Sequence, residues 1–292
     1  MGVIKRAVVL GGKTGLLGQA LCEELANSDC ELFVPIRQEL NVFSEYDLAA
    51  YIDCCQPDVL FNTIGYTQVD KAEKEPEEAN RVNEYLCTVL ASVLKTRPCK
   101  CFSVSTDFVF DGEKRTPYFE DDVPAPQSVY GKTKLAGEMR LLDTIPEKTV
   151  IGRTAWLWGP YKINFVQKVL QLAKEKQSLR VVDDQIGSPT FTIDLAAMCA
   201  KLAATPSTGV YHLVNSGNAS WHELAVAAIE MSKESCTVLP IGSDELNQLA
   251  IRPTYSVLSN QKYTDAVGEK PRKWINGLKD YVALFTRNAI AD

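Results

Sequence analysis

The sequence predicts an α/β fold in which a doubly wound parallel sheet is followed by a smaller α/β lobe. In the first half of the chain, short and uninterrupted apolar runs alternate with stretches of helical periodicity. The first of these runs leads straight into a glycine-rich segment, Gly11–Gly18. Strands that are apolar on both faces are typical of parallel sheets covered by helices. Right-handed crossovers then place those helices on both sides of the sheet.

Residues 1–155 are expected to contain five strands and four helices. The strands are predicted at Ala7–Leu10, Leu32–Ile36, Asp58–Phe61, Lys100–Ser105 and Thr149–Ile151. The helices are predicted at Gly15–Ala26, Glu45–Cys54, Glu77–Lys95 and Ser128–Leu142. Because a helix separates each strand from the next, the pattern favours successive βαβ units.

The pattern after residue 155 is less regular. Its predicted elements are helices at Asn164–Lys176, Asp194–Ala203 and Trp221–Met231, strands at Arg180–Val182 and Val210–Leu213, and a loop at Asp183–Thr190. Ser220 and Glu223 have the spacing of a capping box at the start of the third helix. We expect residues 156–292 to form mainly the smaller lobe, with some segments returning to the sheet.

Composition and charge exclude several classes of protein. Hydrophobic residues make up 46% of the chain and charged residues 23%, which argues against disorder. The net charge of −6 argues against a general nucleic-acid binder, which needs excess Lys and Arg. The apolar run near the N-terminus is too short for a signal peptide, and no run is long enough to span a membrane. We therefore expect a soluble, cytoplasmic protein.

The cysteines and histidines do not indicate a metal site. The nine cysteines are scattered without a CxxC pair, and His212 and His222 are the only histidines. Protein zinc sites need clustered ligands of these types. We expect no metal, reduced thiols as in a cytosol, and structural roles for both histidines.

The glycine-rich segment is expected to bind the pyrophosphate of a dinucleotide. Glycines 12, 15 and 18 follow the GxxGxxG spacing of short-chain dehydrogenases. Glycine permits the tight turn and lets backbone N–H groups at a helix start approach phosphate. The candidate contacts are Gly12, Lys13, Thr14, Gly15, Leu16 and Leu17. We expect residues 1–155 to be a dinucleotide-binding Rossmann domain, the alternative being a glycine-rich turn without a ligand.

The end of the second strand predicts which dinucleotide is preferred. Sites for NAD usually place an acid there, which accepts a hydrogen bond from the ribose. This chain has Arg37 after the predicted strand, and Arg37 suits a 2′-phosphate, with help from Lys13. We expect NADPH to be preferred, with NADH possible. The alternative is that Arg37 is an ordinary surface residue.

A catalytic set is expected where Tyr130 and Lys134 share one face of a helix. A free phenol has a pKa of about 10, and a neighbouring ammonium lowers it toward the operating range. Thr106 follows the fourth strand, so its hydroxyl should lie at the same sheet edge. Thr106 would hold a substrate carbonyl oxygen while Tyr130 donates a proton to it and Lys134 bonds the nicotinamide ribose. Asp107 would either orient this loop or cap it.

Several longer stretches resemble the dTDP-4-dehydrorhamnose reductase family. The stretch 105–112 (STDFVFDG) is similar to that family's STDYVFxG, and 62–73 (NTIGYTQVDKAE) to its NAAAYTxVDxAE. The stretches 130–138 (YGKTKLAGE), 153–156 (RTAW), 182–190 (VDDQIGSPT) and 252–259 (RPTYSVLS) also have close family counterparts. The resemblance covers roughly residues 5 to 285 in order.

The resemblance implies an extended short-chain dehydrogenase that reduces the C4 keto group of dTDP-4-dehydro-6-deoxy-L-mannose. It implies Thr106, Tyr130 and Lys134 as the catalytic residues. The implied cofactor contacts also include Arg37, Asn41, Val42, Thr63, Ile64 and Gly65. The implied substrate contacts are Thr106, Asp107, Trp156, Asn164, Gln185, Gly187, Pro189, Thr190 and Arg252. Trp156 would pack on the sugar, and Arg252 would neutralise the diphosphate.

The sequence departs from the family pattern in ways that bear on assembly and on the cofactor site. The family's NAA becomes Asn62-Thr63-Ile64, so the floor of the cofactor site is bulkier, and Phe108 replaces a Tyr. Some family members dimerise through Mg²⁺ held by glutamates, and Ala20 and Ile193 stand at two aligned positions. Neither side chain can bind a metal, so we expect a monomer or a weak homodimer.

Two other functions stay open. The chain also resembles the regulatory subunit of methionine adenosyltransferase, which is related to this family, binds NADP and acts mainly as a partner. Against that function stand Thr106, Trp156 and the stretch 183–190, which suit an enzyme's substrate site. The other alternative keeps the chemistry and changes the sugar to another nucleotide-linked 4-keto sugar.

Overall fold

The computed structural model describes residues 2–291, with side chains described through residue 285. The strands, in chain order, are β1 (Arg6–Leu10), β2 (Glu31–Phe33), β3 (Val59–Asn62), β4 (Lys100–Thr106), β5 (Thr149–Thr154), β6 (Leu157–Trp158), β7 (Ser178–Val182), β8 (Ile186–Gly187), β9 (Thr190–Phe191), β10 (Gly209–His212), β11 (Ala219–Ser220) and β12 (Thr237–Ile241).

The helices are similarly spread along the chain. They are α1 (Leu16–Ala26), α2 (Glu45–Cys55), α3 (Val69–Ala72), α4 (Pro76–Asn80), α5 (Leu86–Leu94), α6 (Val129–Thr144), α7 (Phe165–Glu175), α8 (Thr192–Ala203), α9 (Trp221–Ser232), α10 (Gln261–Val267) and α11 (Trp274–Ala291). None of the helices within residues 2–291 combines the length and the apolar run that crossing a bilayer takes.

A six-stranded parallel sheet organises the first half of the chain, in the order β10-β5-β4-β3-β1-β2. Alternate residues of β1 point to opposite faces: Val9 packs with α1 and α8, and Val8 packs with α2 and α5. Both faces are therefore buried, and the predicted doubly wound α/β fold is confirmed. The order changes direction between β1 and β3, which is where ligands bind in such sheets.

Segments of the second half form a smaller α/β layer beside the sheet. Short strand pairs β7–β12, β8–β11 and β6–β9 lie against helices α7, α9 and α11. Strand β10 instead pairs with β5, and α8 packs on α1, so this part of the chain completes the main sheet. Ser220 and Glu223 form the expected capping box at the start of α9.

Three predicted segments differ from the structure, and one of them, the loop predicted at Asp183–Thr190, contains β8 and the first residue of β9. The second strand ends at Phe33, because Pro35 has no N–H for the ladder and the Ile36 N–H is donated to the Glu39 carboxylate, 3.0 Å away. The single helix predicted at Glu77–Lys95 is divided into α4, a π-helical turn at Arg81–Tyr85, and α5. Such a turn shifts the following residues around the helix axis.

Candidate active site

The segments that carry the predicted site leave three adjacent strands at one edge of the sheet. Strands β1, β3 and β4 are neighbours, and their carboxyl ends run into Gly11–Gly18, Thr63–Gly65 and Thr106–Asp107. Parallel strands bring all their carboxyl ends to the same edge. Residues far apart in the chain therefore meet at this edge because of the strand order.

The glycine-rich loop has no room for side chains at its glycine positions. Gly11 has φ +83°, and a Cβ on Gly15 or Gly18 would lie 2.8 or 2.4 Å from the Gly11 carbonyl oxygen. Helix α1 follows directly, with Gly15 at its N-cap and no side-chain hydrogen bond capping it. The first N–H groups of α1 are therefore available to an anion, and the close backbone packing fits a dinucleotide pyrophosphate.

The individual loop residues differ in how they can contribute. Lys13 and Thr14 are exposed, Leu16 is half-buried, and Gly12 and Leu17 are buried. Leu17 packs in the core beneath the loop, so only its backbone remains for a ligand. The loop thus offers one exposed cation, one exposed hydroxyl and a row of backbone groups.

Thr63 and Ile64 form the neighbouring surface of the loop. The Thr63 hydroxyl donates to the Leu10 carbonyl at 2.7 Å and lies 2.8 Å from where a Cβ on Gly11 or Gly18 would be. Ile64 packs among apolar residues on the α2 and α5 side of the sheet. Gly65 follows, and a Cβ there would make only ordinary contacts, at 3.6 Å. The bulkier floor expected from the sequence is therefore accommodated by direct contact with the loop.

Arg37, Asn41 and Val42 follow β2 in the chain. Arg37 is exposed, and its charge helps to hold the pKa of Glu78 below its usual value, after the larger effect of Arg81. Asn41 is exposed and accepts from the Phe43 N–H at 3.2 Å, while Val42 packs against the same core as Ile64. Arg37 is thus the basic side chain presented by the turn after β2.

Thr106 and Tyr130 lie side by side at the end of β4, close enough for the Thr106 hydroxyl to lower the pKa of Tyr130. Thr106 is the last residue of β4, and Tyr130 lies in the first turn of α6, which Ser128 caps through the Gly131 N–H. Lys134 follows one helical turn later, is buried, and donates from Nζ to the Val104 carbonyl at 2.6 Å. The three predicted residues therefore lie on two packed elements, β4 and α6.

The pKa values of this set differ from the sequence-based expectation. The Lys134 ammonium was expected to lower the pKa of Tyr130. In the structure, burial raises the pKa of Tyr130 to about 12, against the lowering effect of the neighbouring Thr106 hydroxyl. Burial also lowers the pKa of Lys134. The expected direction is wrong because the loss of hydration outweighs the neighbouring groups, and the phenol is held protonated.

Asp107 is buried directly beside Thr106. Its Oδ1 accepts from the Thr106 hydroxyl at 3.1 Å and its Oδ2 accepts from the Ser256 hydroxyl at 2.6 Å. Burial raises the pKa of Asp107 to about 6, against the lowering effect of these two hydrogen bonds. Both carboxylate oxygens face protein hydroxyls, so the structure favours the orienting role over a direct contact with substrate.

A cavity of about 280 Å³ adjoins this set. Its aromatic wall comprises Phe108, Trp156, Phe165 and Trp221. Phe108 also packs edge-on against Tyr130, with ring centroids 5.4 Å apart, and so connects the cavity with the phenol. Aromatic walls of this kind suit the C–H faces of a sugar or a base.

Trp156 is held in an uncommon conformation at the cavity wall. It has φ +48°, a region that a bulky residue rarely adopts. A Cβ on Gly187 would lie 2.4 Å from its ring, so only glycine fits there. Gln185 is buried and lines the same cavity. Trp156, Gly187 and Gln185 are thus brought together as the sequence predicts.

Three further predicted substrate residues serve the framework. Asn164 caps α7, accepting from the Gln167 N–H at 3.1 Å and donating to the Gly159 carbonyl at 2.8 Å. Thr190 is fully buried and donates to the Ser188 carbonyl at 3.0 Å, with the buried Pro189 between them. Among the residues that the structure describes, none of these three is part of the cavity wall.

Arg252 lines the cavity but is already paired. Its guanidinium contacts Asp70 through two bonds, of 3.0 and 2.6 Å, and Asp70 also accepts from the backbone N–H groups of Leu249 and Ala250. The Arg252 guanidinium, helped by these N–H groups, lowers the pKa of Asp70 to about 2. Arg252 therefore ties the cavity wall to α3, the first helix after the Thr63–Gly65 segment.

Sequence reasoning missed four residues that shape the site: Trp221, Ser256, Asp70 and Asn83. Asp70 and Ser256 lie inside stretches that the motif comparison had already matched, and Trp221 directly follows a recognised helix cap. Asn83 lies in the π-helical turn, where its side chain accepts from the Tyr66 N–H at 2.8 Å and donates to Thr133 at 3.0 Å. No local pattern marks Asn83, because an unbroken helix was the simpler expectation.

The positions of the described side chains are relevant to whether the protein could hold a metal ion. Within residues 2–285, no three His, Cys, Asp or Glu side chains are grouped so that they could hold a metal ion. Ala20 is buried in the core and Ile193 is partly buried. The absence of a resident metal stays a prediction.

Comparisons with known proteins agree with this architecture. A model of the RmlD substrate binding domain family matches residues 6–287. The spore coat polysaccharide biosynthesis protein SpsK of Bacillus subtilis is 38% identical over 94% of this chain and 96% of its own length. The dTDP-4-keto-6-deoxy-D-glucose reductase of Streptomyces niveus is 34% identical over the same shares of the two chains.

A solved structure extends the match to three dimensions. The dTDP-4-dehydrorhamnose reductase of Bacillus anthracis, in complex with NADP, superposes with a TM-score of 0.92 at 32% identity, covering 97% of this chain and 100% of that one. The sheet order, the glycine loop and the family match therefore agree over nearly the whole chain. This chain belongs to the RmlD substrate binding domain family.

Proposed function

We propose that this protein reduces the C4 keto group of dTDP-4-dehydro-6-deoxy-L-mannose (dTDP-4-dehydro-β-L-rhamnose) to dTDP-L-rhamnose, using NADPH. The observation that carries the proposal is that Thr106 and Tyr130 lie side by side, with Lys134 one helical turn from Tyr130 and an aromatic cavity beside them. The family membership and the reductase names of its relatives support the substrate class.

NADPH supplies the hydride when it is bound. The backbone of Gly11–Gly18 would hold its pyrophosphate, with Lys13 and Thr14 on the exposed side. Arg37 would hold the 2′-phosphate, Asn41 and Val42 would lie near the adenosine, and Thr63, Ile64 and Gly65 would line the floor. The glycine-rich loop fits the NADPH pyrophosphate because its glycines place no side chain between the backbone and the ligand. NADH would bind less tightly because it lacks the 2′-phosphate.

Tyr130 would donate a proton to the C4 oxygen as the keto group is reduced. Because its pKa is raised to about 12, the phenol carries its proton before each reaction, which is the form that a reduction needs. Thr106 would turn its hydroxyl proton from Asp107 to the same oxygen and hold it by a hydrogen bond. Lys134 keeps two donors beyond its bond to Val104, and one would fix the ribose of the cofactor.

The cavity would hold the sugar and the nucleotide. Trp156 and Gln185 would contact the sugar, and Gly187 keeps the space that the Trp156 ring occupies. Arg252, oriented by Asp70, would meet the diphosphate. For Asn164, Pro189 and Thr190 we propose indirect roles in holding the loops that form the wall.

A test separates proton donation from binding. NADPH oxidation is followed at its absorbance band with dTDP-4-dehydrorhamnose generated by coupled enzymes. Tyr130→Phe should lower kcat by roughly 100-fold or more while leaving the Kd for NADPH unchanged. Lys134→Ala should lower kcat and also raise the Kd for NADPH. Near-normal kcat in Tyr130→Phe would remove Tyr130 from this role.

A second substrate is favoured by one comparison. The relative from Streptomyces niveus, at 34% identity, is named for a 4-keto-6-deoxy-D-glucose. Its diastereomer dTDP-4-keto-6-deoxy-D-glucose is therefore the best competing substrate. Comparing kcat/KM for the two sugars under the same conditions decides between them, and the proposed function requires the L-sugar to be preferred.

For location and assembly, we propose a cytoplasmic protein that is a monomer or a weak homodimer without a bridging metal. The apolar Ala20 and Ile193 at the aligned metal-ligand positions support this assembly. Sedimentation should give the same mass with Mg²⁺ and with a chelator. A dimer that forms only with Mg²⁺ would contradict the proposal.

A further inference from the structure

One segment of the chain passes along the cavity from the smaller layer to the main sheet. Residues 242–252, which we call the strap, follow β12 and end just before Pro253. Leu246, Gln248 and Arg252 of the strap line the cavity. Every residue from 244 to 249 is exposed, and Leu249, which lies outside the cavity wall, is 56% exposed. The strap is therefore a single stretch of chain with the cavity on one side and solvent on the other.

The far end of the strap is attached to α3. Asp70 accepts from the backbone N–H groups of Leu249 and Ala250 at 2.9 and 3.0 Å, and from two nitrogens of Arg252 at 3.0 and 2.6 Å. Ala250 is buried here. Hydrogen bonds to a charged group are the stronger kind, and several of them act together at one carboxylate. This end is therefore fixed to the main sheet.

The near end of the strap has a firm contact followed by a weak one. Ser243 donates from its backbone N–H and from its hydroxyl to Asp184 Oδ2, both at 2.9 Å. Two residues later, Glu245 forms an ion pair with Arg180 of β7, and Arg180 itself lines the cavity. The two side chains are 61% and 43% exposed. Ion pairs with this exposure contribute little to stability and are weakened by salt.

The middle of the strap is held only by the strap itself. The Leu246 N–H donates to the Ser243 carbonyl at 3.1 Å, and the Gln248 N–H donates to the Leu246 carbonyl at 2.8 Å. Among the residues that the structure describes, none outside the strap forms a hydrogen bond with residues 246–248. If the Arg180–Glu245 pair breaks, residues 244–248 are therefore free to move away from the cavity between their two attached ends.

The size of the cavity favours such a movement. Its volume is about 280 Å³, whereas pockets that enclose a drug-sized ligand have roughly 300–1,000 Å³. A nucleotide sugar, with its base, deoxyribose, diphosphate and hexose, is a large ligand on that scale. The strap in its present position leaves too little space for the whole molecule, and outward movement of residues 244–248 would enlarge the cavity.

We propose that the strap opens to admit the nucleotide sugar and then closes over it, and that the Arg180–Glu245 ion pair holds it closed. The inference rests on the proposed function, because the nucleotide sugar is the ligand that has to pass the strap. Opening breaks this ion pair and leaves the Asp70 and Asp184 contacts in place. Glu245 is thus a positioning residue, which controls access and does not touch the ligand.

Glu245→Gln distinguishes this role from two others, because it keeps the size of the side chain and removes its charge. A weaker closed state should speed both entry and escape of a ligand, since both require the open form. If Glu245 only oriented Arg180 toward the ligand, escape alone would become faster. If Glu245 competed with the ligand for Arg180, the variant would bind more tightly.

The measurement is stopped-flow binding of dTDP to the protein saturated with NADP⁺, followed by tryptophan fluorescence. Trp156 and Trp221 line the cavity and should respond to the ligand. In Glu245→Gln, the association and dissociation rate constants should both rise by about 2- to 5-fold, while the Kd changes by less than about 2-fold. The ratio of variant to wild-type association rates should approach one at high salt, which screens the wild-type ion pair.

The matched control is Glu269→Gln, because Glu269 forms another exposed ion pair, with Lys201 of α8. Neither residue lines the cavity, and this variant should leave both rate constants unchanged. A change in only one rate constant of Glu245→Gln, or in neither, would overturn the strap's role. A wild-type protein that binds no dTDP would instead overturn the proposed function, and the role of the strap with it.

Chymotrypsin cleavage of the strap gives a second readout, which is independent of turnover and of ligand. Cleavage after Leu246 or Leu249 requires the strap to leave the protein surface, and its rate follows the population of the open form when opening is fast. Cleavage within residues 242–252, identified by mass spectrometry, should be about 2- to 5-fold faster in Glu245→Gln and unchanged in Glu269→Gln. Added dTDP should slow it. Equal cleavage rates in wild type and Glu245→Gln would show that the ion pair does not hold the strap closed.

Discussion

Trp156 and Trp221 stack face to face, with ring centroids 3.7 Å apart and ring planes 5° from parallel. Trp156 comes from the turn after β5, and Trp221 is the first residue of α9. The stack joins the end of the main sheet to the smaller layer across the cavity wall. It also stabilises a Trp156 backbone whose φ of +48° is costly for a bulky residue.

The first prediction concerns this stack. Trp221→Leu should raise KM for the nucleotide sugar by about 2- to 10-fold, because a stacked aromatic pair contributes roughly 0.5–1.5 kcal/mol. The change in kcat should be smaller, since Trp221 lies away from the Thr106–Tyr130 pair. Trp221→Phe, which keeps an aromatic ring, should retain most of the affinity. If Trp221→Leu alters kcat and leaves KM unchanged, the stack does not position the substrate.

The second prediction concerns the pairing of Asp70 with Arg252. Asp70→Asn should weaken the binding of dTDP about 10-fold by calorimetry, because the guanidinium loses the bidentate partner that orients it. The Kd for NADPH should stay constant and serves as the internal control. Tighter dTDP binding in Asp70→Asn would contradict the account, since it would mean that Asp70 competes with the diphosphate for Arg252.

The third prediction concerns cofactor choice. Arg37→Ala should raise the Kd for NADPH by roughly 10-fold or more and leave the Kd for NADH unchanged, because a charge-assisted bond to the 2′-phosphate is lost. Arg140→Ala removes another exposed arginine, on α6 and paired with Glu84, and should change neither value. Equal kcat/KM with NADPH and NADH in the wild type would refute the preference.

The fourth prediction concerns stability and pH. Burial raises the pKa of Asp107 to about 6, above the value of about 3.9 for an unfolded aspartate. A carboxyl whose pKa rises on folding contributes stability that is fully present below its unfolded pKa and is lost as the pH rises through its folded pKa. The loss for wild type should therefore occur between about pH 4 and pH 7.

Denaturant unfolding of wild type and Asp107→Asn at several pH values tests this. The side chain introduced by Asp107→Asn stays neutral at every pH. The free energy of unfolding of the variant, relative to that of wild type, should therefore rise by about 3 kcal/mol between about pH 4 and pH 7. A difference that does not depend on pH would show that Asp107 does not change its proton affinity on folding.

Much of the fold was predictable because the sheet is buried on both faces. The alternation of Val8 and Val9 between opposite cores requires an uninterrupted apolar run, and such runs were recognisable for each of the first five strands. The glycine loop was predictable for a similar reason, since a Cβ on Gly18 would lie 2.4 Å from a carbonyl oxygen. Tight packing therefore restricts which residue types can occupy these positions, and the restriction is visible in the sequence.

The remaining features depend on contacts between distant residues. Asn164 and Thr190 fall in stretches assigned to the substrate, yet their side chains bond to nearby backbone groups. The stacking partner of Trp156 lies in α9, far along the chain, and the Ser256 partner of Asp107 is 149 positions away. Motif matching recovers which residues are present and cannot show which side chains pair.

The division into two lobes at residue 155 stays a prediction. Strand β10 and helix α8 lie beyond that point in the chain and still belong to the main sheet and its core. Any boundary drawn by residue number therefore separates elements that pack together. Segments that leave a sheet and return to it are hard to anticipate, because pairing across a long insertion leaves no local signal.

The most direct test of the proposed function is to identify the product formed from NADPH that carries deuterium at both C4 positions of the nicotinamide. The protein is incubated with labelled NADPH and dTDP-4-dehydrorhamnose, and the product is analysed by mass spectrometry and NMR. We expect dTDP-L-rhamnose with one deuterium at C4, in amounts equal to the NADPH consumed, and almost none from Tyr130→Phe. Unlabelled or unreduced sugar from the wild-type protein, under conditions where NADPH binds, would contradict the proposed function.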